Sequence, residues 1–484
     1  MSIHRGGRRG FILPPAHYFR RLSQTRRMTK YDFLRRLDNF ADMKERTLDV
    51  GGTEVAVYFL DPMCSGDKIT RFVTEPLLSL GRKATVKNCL EKIIYGADCV
   101  ATSDADTLVE EFLDGKTVLF IGGDDTAIAV DTKGIEYRAV AEPPTSMVTK
   151  GPREGFNENI KTNLMLLRKR IKTPDFKTEN IKVGDKTGTL VSVCYIEGAA
   201  DKKVVDAVVK KISGLKLDGV LDSSYIAAFL DVDPTNLFKT VGSVEKPDIV
   251  ASKLLEGKVA VAVDGSPLVL TLPYTFIEDM HSPDDYYYNT PQTATVARIL
   301  RLIAMTAAVL LPAIYVALQV FHYQMLPSKF LITIISSVQG IPFPPMLEML
   351  VVILLFDVLR EANARMPQIA GLSLSIVGAI ILGDAAVKAG LLSAPAVMIG
   401  AMSGIGLYTM PDNTMLFMLL RLAFTLLGGT VGIVGILLGA MLTVSYVVSL
   451  DDYGMPYLSP LSPPAAAGDD GIIKMPQDAI LKDK

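Results

Sequence analysis

The chain has 484 residues, a net charge of −2 and 21% charged side chains, yet its mean hydropathy is positive. This length exceeds the usual size of one domain, and the uneven composition indicates soluble and membrane-embedded parts in sequence. The four cysteines form no CxxC pair and the four histidines are scattered, which disfavours a zinc centre. We therefore expect no metal, no other cofactor and no nucleic-acid partner.

The first 44 residues are strongly basic and contain very few acidic side chains. Glycines and prolines interrupt any helix before Tyr18, which favours a solvated, disordered head over the alternative, a segment bound to anionic lipid. The apolar run Phe11–Leu13 is too short for a signal peptide, so we expect the N-terminus to stay in the cytoplasm.

The soluble half of the chain contains one pattern twice. Residues 108–130 align with 249–272 as a helix, an acidic-Gly-Lys turn, a strand, an Asp/Gly hairpin turn and a second strand. Upstream, residues 50–69 align with 183–204. A repeat of this kind predicts two copies of one supersecondary unit.

Two similar α/β subdomains are therefore expected, at residues 45–145 and 181–285, each built on a small mixed sheet with helices packed against it. Duplication favours a binding or assembly module over an enzyme. The turn residues Asp124, Asp125 and Asp264 could coordinate a cation, but hairpin turns select Asp and Gly for their backbone angles, and we favour that explanation.

Residues 146–180 join the subdomains through a proline-framed extended segment and a connecting helix that begins at Asn157 or Glu158. The basic residues at the end of this helix either complement its negative dipole end or contact a neighbouring subunit or lipid headgroups. The linker or interface motif predicted here comprises Gly151, Pro152, Arg153, Glu154, Gly155, Arg168 and Arg170.

Residues 296–450 leave too little polar surface for a soluble fold and predict an α-helical polytopic membrane domain of four to six spans. The apolar segments are Leu302–Phe321, Met346–Leu359, Gly371–Ala386, Pro395–Met410 and Leu416–Ser449. Arg298 and Arg301 precede the first span and predict that the soluble part lies on the cytoplasmic side.

Two apolar segments have unusual lengths. Phe330–Val338 is too short to cross a bilayer, so we expect it to lie at the interface or to enter partway. The last segment, 416–449, fits one tilted span or a helix broken at Gly428-Gly429. Small residues spaced by four in this stretch allow close helix contact. Residues 451–484 are proline-rich and predict an extended tail.

Acidic residues within the apolar segments carry the functional hypothesis. An ionised side chain at mid-bilayer costs roughly 2.5–3.5 kcal/mol, so Glu348 and Asp357 are expected to face protein or water. In a ring of copies they would form acidic rings that favour cations. The predicted ion path comprises Glu348, Asp357 and the apolar residues Val351, Leu355 and Val358.

The alternative is that these acids pair with arginines such as Arg360 or Arg421 inside one subunit. The other charges of this region form a predicted cluster of Arg360, Glu361, Asp384, Lys388 and Arg421. Asp357, Arg360 and Glu361 share one helix face, and Asp384 and Lys388 are spaced i, i+4, so each set could form ion pairs internally.

An enzyme is the competing class. An intramembrane aspartyl protease would need two aspartates on facing helices, and Asp357 and Asp384 are the only plausible pair. Ile381 stands where such enzymes place a glycine, so we expect no enzyme. A scaffold that only organises partner subunits is a further alternative.

Several segments together resemble the A subunit of GerA-type spore germinant receptors. They are GPREGFNENIKTNLMLLRKRI (151–171), VEKPDIVASKLLEGKVAVAVDGSP (244–267), PFPPMLEMLVVILLFDVLREANARMP (342–367) and YGMPYLSPLSP (453–463). The stage V sporulation protein AF of the same superfamily, as a channel or accessory subunit, is the alternative relative. GPREG and the PYLSPLSP ending are more similar to the receptor branch.

The resemblance implies a spore germination protein in the inner spore membrane, with its soluble domains on the core side. It implies a complex with a transporter-like B subunit and a C-subunit lipoprotein, in contact with membrane lipid. It also implies self-association into a pentameric ring whose membrane domain releases cations and triggers germination.

Overall fold

The computed structural model describes residues 30–37, 40–93, 98–122, 124–134, 151–231, 236–282, 285, 290–365, 383–462 and 471–474. The described residues form two compact units, of which the first holds those between 30 and 134 together with Ile171–Lys177, and the second holds the other described residues.

The first unit contains one antiparallel sheet in the order β1-β2-β4-β5-β3. Its elements are α1 Lys30–Arg36, β1 Met43–Val50, β2 Thr53–Leu60, α2 Gly66–Ile69, a π-helical turn Thr70–Thr74, α3 Glu75–Leu78, α4 Val86–Ile93, β3 Cys99–Thr102, α5 Ala105–Leu113, β4 Lys116–Ile121 and β5 Ala127–Asp131. A two-residue turn joins β1 to β2. Its residues Gly51 and Gly52 have φ of 60° and 80°, the left-handed values that such turns need.

Both faces of this sheet are covered. Val55 and Val57 on alternate positions of β2 join the core formed with the helices between β2 and β3. Tyr58 points to the opposite face, where its ring lies 5.9 Å from that of Phe33 on α1. Phe112 of α5 also packs edge-on against Phe33. The helix α1 is therefore part of this fold, although residues 30–44 fall in the segment predicted to be a disordered head.

The second unit begins with a sheet of the same strand order, β6-β7-β9-β10-β8. Its elements are α6 Ile160–Arg170, β6 Phe176–Val183, β7 Thr189–Ile196, α7 Lys202–Ser213, α8 Ser223–Leu230, β8 Gly242–Val244, α9 Pro247–Leu255, β9 Val259–Val263 and β10 Val269–Leu272. The identical order confirms the two sheets predicted from the repeat. The prediction of mixed sheets is wrong for the first unit, whose strand pairs are all antiparallel.

The position of α6 shows how far the repeat extends. α6 packs on α9 and β9, as α1 packs on α5 in the first unit. The helix that the sequence placed in a connecting segment is thus the first helix of the second repeat. The hairpin aspartates have structural roles here: Asp264 accepts from the N–H of Ile160 at 3.2 Å, and Asp124 accepts from that of Val86 at 3.0 Å. Each therefore caps a helix start.

The C-terminal half is helical. Its helices are α10 Pro291–Val320, α11 Ser328–Val338, α12 Pro345–Ala364, α13 Ala394–Leu407, α14 Thr414–Thr430 and α15 Ile433–Ser449. α10 lies at the centre and contacts α12, α13, α14 and α15. Within the described residues, α10 alone has both the length and the apolarity to cross a membrane, and α11, α13, α14 and α15 are shorter apolar helices. Most of the predicted segment Gly371–Ala386 lies outside the described residues.

The long last apolar segment is two helices. Gly432 has a φ of 75°, which ends α14 and starts α15, so the break lies after the glycine pair at which it was predicted. Gly428 has another role, because a Cβ there would lie 2.5 Å from the carbonyl oxygen of Ala313 on α10. After α15, β11 Asp451–Asp452 and β12 Met455–Pro456 form a small hairpin within the tail predicted to be extended.

Candidate functional site

A buried ion pair joins the helices at the centre of the bundle. Arg421 of α14 is fully buried, and its Nη2 donates to Oδ1 of Asp357 on α12 at 2.6 Å. Its Nη1 donates to Oγ of Ser403 on α13 at 3.1 Å, and that hydroxyl donates to the carbonyl oxygen of Ala308 on α10 at 2.5 Å. Four helices are thus held by one polar chain, within which the arginine charge is neutralised.

Glu348 lies at the other end of α12 and is also fully buried. Its Oε1 accepts from the backbone N–H of Ser393 at 2.5 Å, while the Ser393 hydroxyl caps α13 by accepting from Ala396. The carboxylate therefore interacts with the positive end of the α13 dipole. Its second oxygen, Oε2, is buried and has no hydrogen-bond partner among the residues that the structure describes.

Both acids that were predicted to line a pore thus have interaction partners within their own chain. Asp357 pairs with Arg421, as the alternative of internal pairing predicted, whereas Glu348 interacts with a helix N-terminus and not with an arginine. Of the apolar residues assigned to the path, Val351 and Leu355 are half-buried and Val358 is 58% exposed. A pore formed by several copies stays a prediction.

The other predicted charges divide into separate pairs. Asp384 and Lys388 form the expected i, i+4 pair at 2.7 Å. Glu361 pairs with Arg365 at 2.6 Å, while Arg360 contacts Met418. The cluster expected on one face of α12 is therefore not the observed arrangement. The two aspartates that a protease would need, Asp357 and Asp384, each pair with a different cation.

The motif at residues 151–155 lies against α6 and α9. Glu154 accepts from Arg170 at 2.6 Å and from Lys169 at 3.1 Å. The carbonyl oxygen of Pro152 accepts from the buried ammonium of Lys246 at 2.7 Å. Gly151 begins the segment with a φ of 131°. Gly155 and Arg168 are buried in the same region, and Arg153 is exposed. The basic end of α6 thus binds an acid of its own chain.

The second sheet is tied to the helices by buried polar contacts. Oδ2 of Asp452, after α15, accepts from the N–H of Tyr274 at 2.7 Å, and the N–H of Phe276 donates to the carbonyl oxygen of Tyr457 at 2.9 Å. Asn413 at the start of α14 donates to Asp279. We call these contacts the joint, defined by residues 274–279, 413 and 452–457.

The pKa values of two carboxyl groups in the joint are shifted in opposite directions. Burial opposes ionisation of Glu278, yet the ammonium groups of Lys253 and Lys258 lower its pKa to about 2. Burial raises the pKa of Asp452 to about 7, despite the hydrogen bond from Tyr274. Within the described residues no group of three or more His, Cys, Asp or Glu side chains could hold a metal ion.

Comparison with known proteins identifies the family. The chain matches the family described as Bacillus/Clostridium GerA spore germination protein over residues 32–483. The chain belongs to the GerA family. Spore germination protein KA of Bacillus subtilis (strain 168) is 33% identical over 90% of this chain and 82% of that protein. The uncharacterized membrane protein YfkQ of the same organism is 39% identical over 72% of this chain and 69% of that protein.

A solved structure is also similar to this GerA chain. The N-terminal domain of the A subunit of the Bacillus megaterium spore germinant receptor GerK3 is 26% identical, covers 51% of this chain and 93% of that chain, and gives a TM-score of 0.40. The family match confirms the resemblance that the four quoted segments indicated.

Sequence reasoning on this GerA chain missed the neutral partners of its buried charges. Ser403 and Ser393 resemble any other serine in an apolar helix, so no local signal marks them as partners of Arg421 and Glu348. Asp452 was assigned only to an extended tail. The signal that could have drawn attention to the joint is the pair Asp451-Asp452, which closely follows a long apolar segment.

Proposed function

We propose that this GerA protein is the A subunit of a nutrient germinant receptor in the inner spore membrane, and that several copies form a cation-conducting ring. Its partners in this proposal are a transporter-like B subunit and a C-subunit lipoprotein. The soluble sheets face the spore core. Release of cations through the ring triggers germination.

The observation that carries the ring is the two-sided character of α12. Met349, Val352 and Ile353 are buried in the bundle. The opposite side exposes Leu354 and Val358, at 63% and 58%. An apolar strip beside a buried face needs lipid or protein to cover it. In a ring of copies this strip is the surface that can approach the axis.

The exposed strip continues along one helical face. Leu347, Leu354, Val358 and Glu361 are spaced by seven, four and three residues, the spacing of one side of a helix. Apolar constrictions close pores by dewetting, and acidic rings select cations. We therefore assign the constriction to Leu354 and Val358, and we place at its end the exposed carboxylate of Glu361, which pairs with Arg365 within one copy.

Asp357 and Glu348 have a different part in this proposal. Asp357 binds Arg421, and Glu348 binds the N-terminus of α13. These two contacts fix α12 against the bundle and thereby orient its exposed strip. The cytoplasmic side of the soluble part is supported by Arg298 and Arg301 at the start of α10.

The test uses the full chain in liposomes loaded with potassium. V358A should raise potassium leak several-fold, because a smaller side chain widens an apolar constriction. L437A removes an equally exposed leucine on α15 and should leave the leak at the wild-type level. Mass photometry in detergent measures the number of copies.

A strictly monomeric particle, with neither B nor C subunit bound, would contradict the ring. Equal leak in V358A, L437A and wild type, with normal assembly, would remove α12 from the conducting path.

A further inference from the structure

A cavity of about 250 Å³ lies where the helices meet the second sheet region. The bundle contributes Met305 and Val309 of α10, Phe424 of α14 and Val444 of α15. The soluble part contributes Phe238 and Phe276. The cavity is separate from the Asp357 and Glu348 contacts, and it lies within a single compact unit.

The wall chemistry defines what the cavity can bind. Among the described residues that line it, all except two threonines are apolar. Thr306 donates to the carbonyl oxygen of Leu302 at 2.8 Å, and Thr443 donates to that of Gly439 at 2.9 Å. Their hydroxyl hydrogens are therefore already used, and a polar ligand would lose its water without gaining a donor. The cavity fits hydrocarbon.

The mouth of the cavity opens onto the outer surface of the helices. Thr306 on α10 is exposed, and Val444 on α15 is 59% exposed. Ile303 and Met441 continue this exposed apolar surface on the same two helices. α10 is the helix with the length and apolarity of a membrane span, so this surface is the one that a bilayer would cover.

We propose that this cavity holds one acyl chain of a membrane lipid. An apolar cavity of about 150 Å³ already accommodates benzene, and this one is larger. One turn of a helix, with a diameter of about 10 Å and a length of 5.4 Å, is too large for it. A flexible chain that enters by its methyl end is the apolar group that a bilayer supplies at such a mouth.

The bound chain would contact the joint. The ring of Phe238 lies 6.1 Å from that of Tyr446 on α15 and 6.2 Å from that of Tyr457. Phe276 also lies 6.2 Å from Tyr457. An acyl chain against both phenylalanines therefore fills the space between the sheet region and the helices, where an empty cavity would forfeit packing contacts.

The test exploits the absence of tryptophan from the chain. Three single-tryptophan variants of the full protein are reconstituted in phosphatidylcholine vesicles with plain or dibrominated acyl chains, since bromine quenches tryptophan on close contact. F276W reports on the cavity and L442W reports on the exposed face of α15, where Leu442 is 71% exposed. F112W lies in the core of the first unit.

We expect brominated chains to quench F276W at least twofold, as they quench L442W, while F112W keeps its emission. Adding A440F fills the cavity from its wall, so F276W should regain its emission and L442W should stay quenched. Quenching of L442W in the presence of A440F also verifies that the protein with the filled cavity still inserts into the membrane normally.

Two results would overturn the acyl-chain site: no quenching of F276W when L442W is quenched, or quenching of F276W that persists with A440F. The inference rests on the membrane setting of the proposed function. If the protein does not insert into the membrane, L442W also remains unquenched, and this result distinguishes that failure from the absence of an acyl-chain site.

Discussion

The two sheets of this GerA chain share one strand order, but an equivalent lysine has a different acidic partner in each. The chain aligns Lys116 with Lys258 at the Gly-Lys turn, where Gly115 and Gly257 both have a φ of 91°. In the first sheet Lys116 pairs at 2.5 Å with Glu111 of the preceding helix, and the two side chains are 14% and 24% exposed.

In the second sheet the position of that acid is taken by Lys253. The acid comes instead from Glu278, which pairs with both Lys253 and Lys258, and whose side chain is 9% exposed. Glu278 lies in the segment that leads to α10. The second sheet therefore has the strand order of the first but takes its acid from outside the repeat, so that its lysines hold the segment leading to the helices.

The largest expected effect is the difference in stability lost when Glu278 or Glu111 is replaced by glutamine. E278Q removes the carboxylate that pairs with buried Lys253 and largely buried Lys258, and removing one partner of a buried pair costs about 3–5 kcal/mol. E111Q, the matched change in the first sheet, should cost about 1 kcal/mol or less, because its pair is more exposed. Thermal unfolding of the full chain in detergent measures both. Equal losses would refute the assigned difference.

The second prediction concerns pH and again belongs to the second sheet. Burial raises the pKa of Asp452 to about 7, well above the ordinary value of an aspartate, so the folded state binds the proton more tightly than the unfolded state. Stability contributed by this group is therefore full at low pH and is lost as the pH rises toward 7.

From pH 5 to pH 8 we expect this group to lower the unfolding free energy by about 2–3 kcal/mol. D452N keeps an oxygen that accepts from Tyr274 and removes the titration, so its stability should change less over this interval. Unfolding at a series of pH values compares the two proteins. The idea fails if D452N and wild type lose stability in parallel.

How much was predictable depends on whether a residue's partner lies nearby in the sequence. The repeat, its hairpins and the pair of Asp384 with Lys388 involve neighbours, and alternation or i, i+4 spacing predicts them. The pair of Asp357 with Arg421 spans 64 residues, so spacing could only offer Arg421 as one of two candidate arginines.

That each repeat begins with a helix was harder to predict, although the helix at residues 160–170 was itself predicted as a connecting helix. α1 and α6 each pack on a later helix of their own unit, and their sequences show no similarity that spacing detects. The acids at 278 and 452 were missed for the same reason, since their partners become visible only when the sheet edge and the segments around the helices are in place.

A charge swap offers the third prediction, of intermediate size. K253E combined with E278Q restores the arrangement of the first sheet, in which the helix supplies the acid to the turn lysine. Lys258 then regains a partner, and one buried ammonium is removed. We expect the double variant to recover about 2 kcal/mol of the loss caused by E278Q alone. A double variant less stable than E278Q would show that the two sites are not equivalent.

The smallest effect tests what the two sheets still share. Asp124 and Asp264 lie in equivalent hairpin turns, and each accepts from the first N–H groups of a helix, α4 in one unit and α6 in the other. Loss of such a cap costs about 1 kcal/mol, so D124A and D264A should lower stability by similar amounts. D218A removes only an exposed pair with Lys186 and should cost less than about 0.5 kcal/mol. If both turns instead bound a cation, added calcium would stabilise the wild type more than either alanine variant, because each variant keeps only one of the two turns intact. Equal behaviour of all proteins with and without calcium supports capping as the role that selected these aspartates.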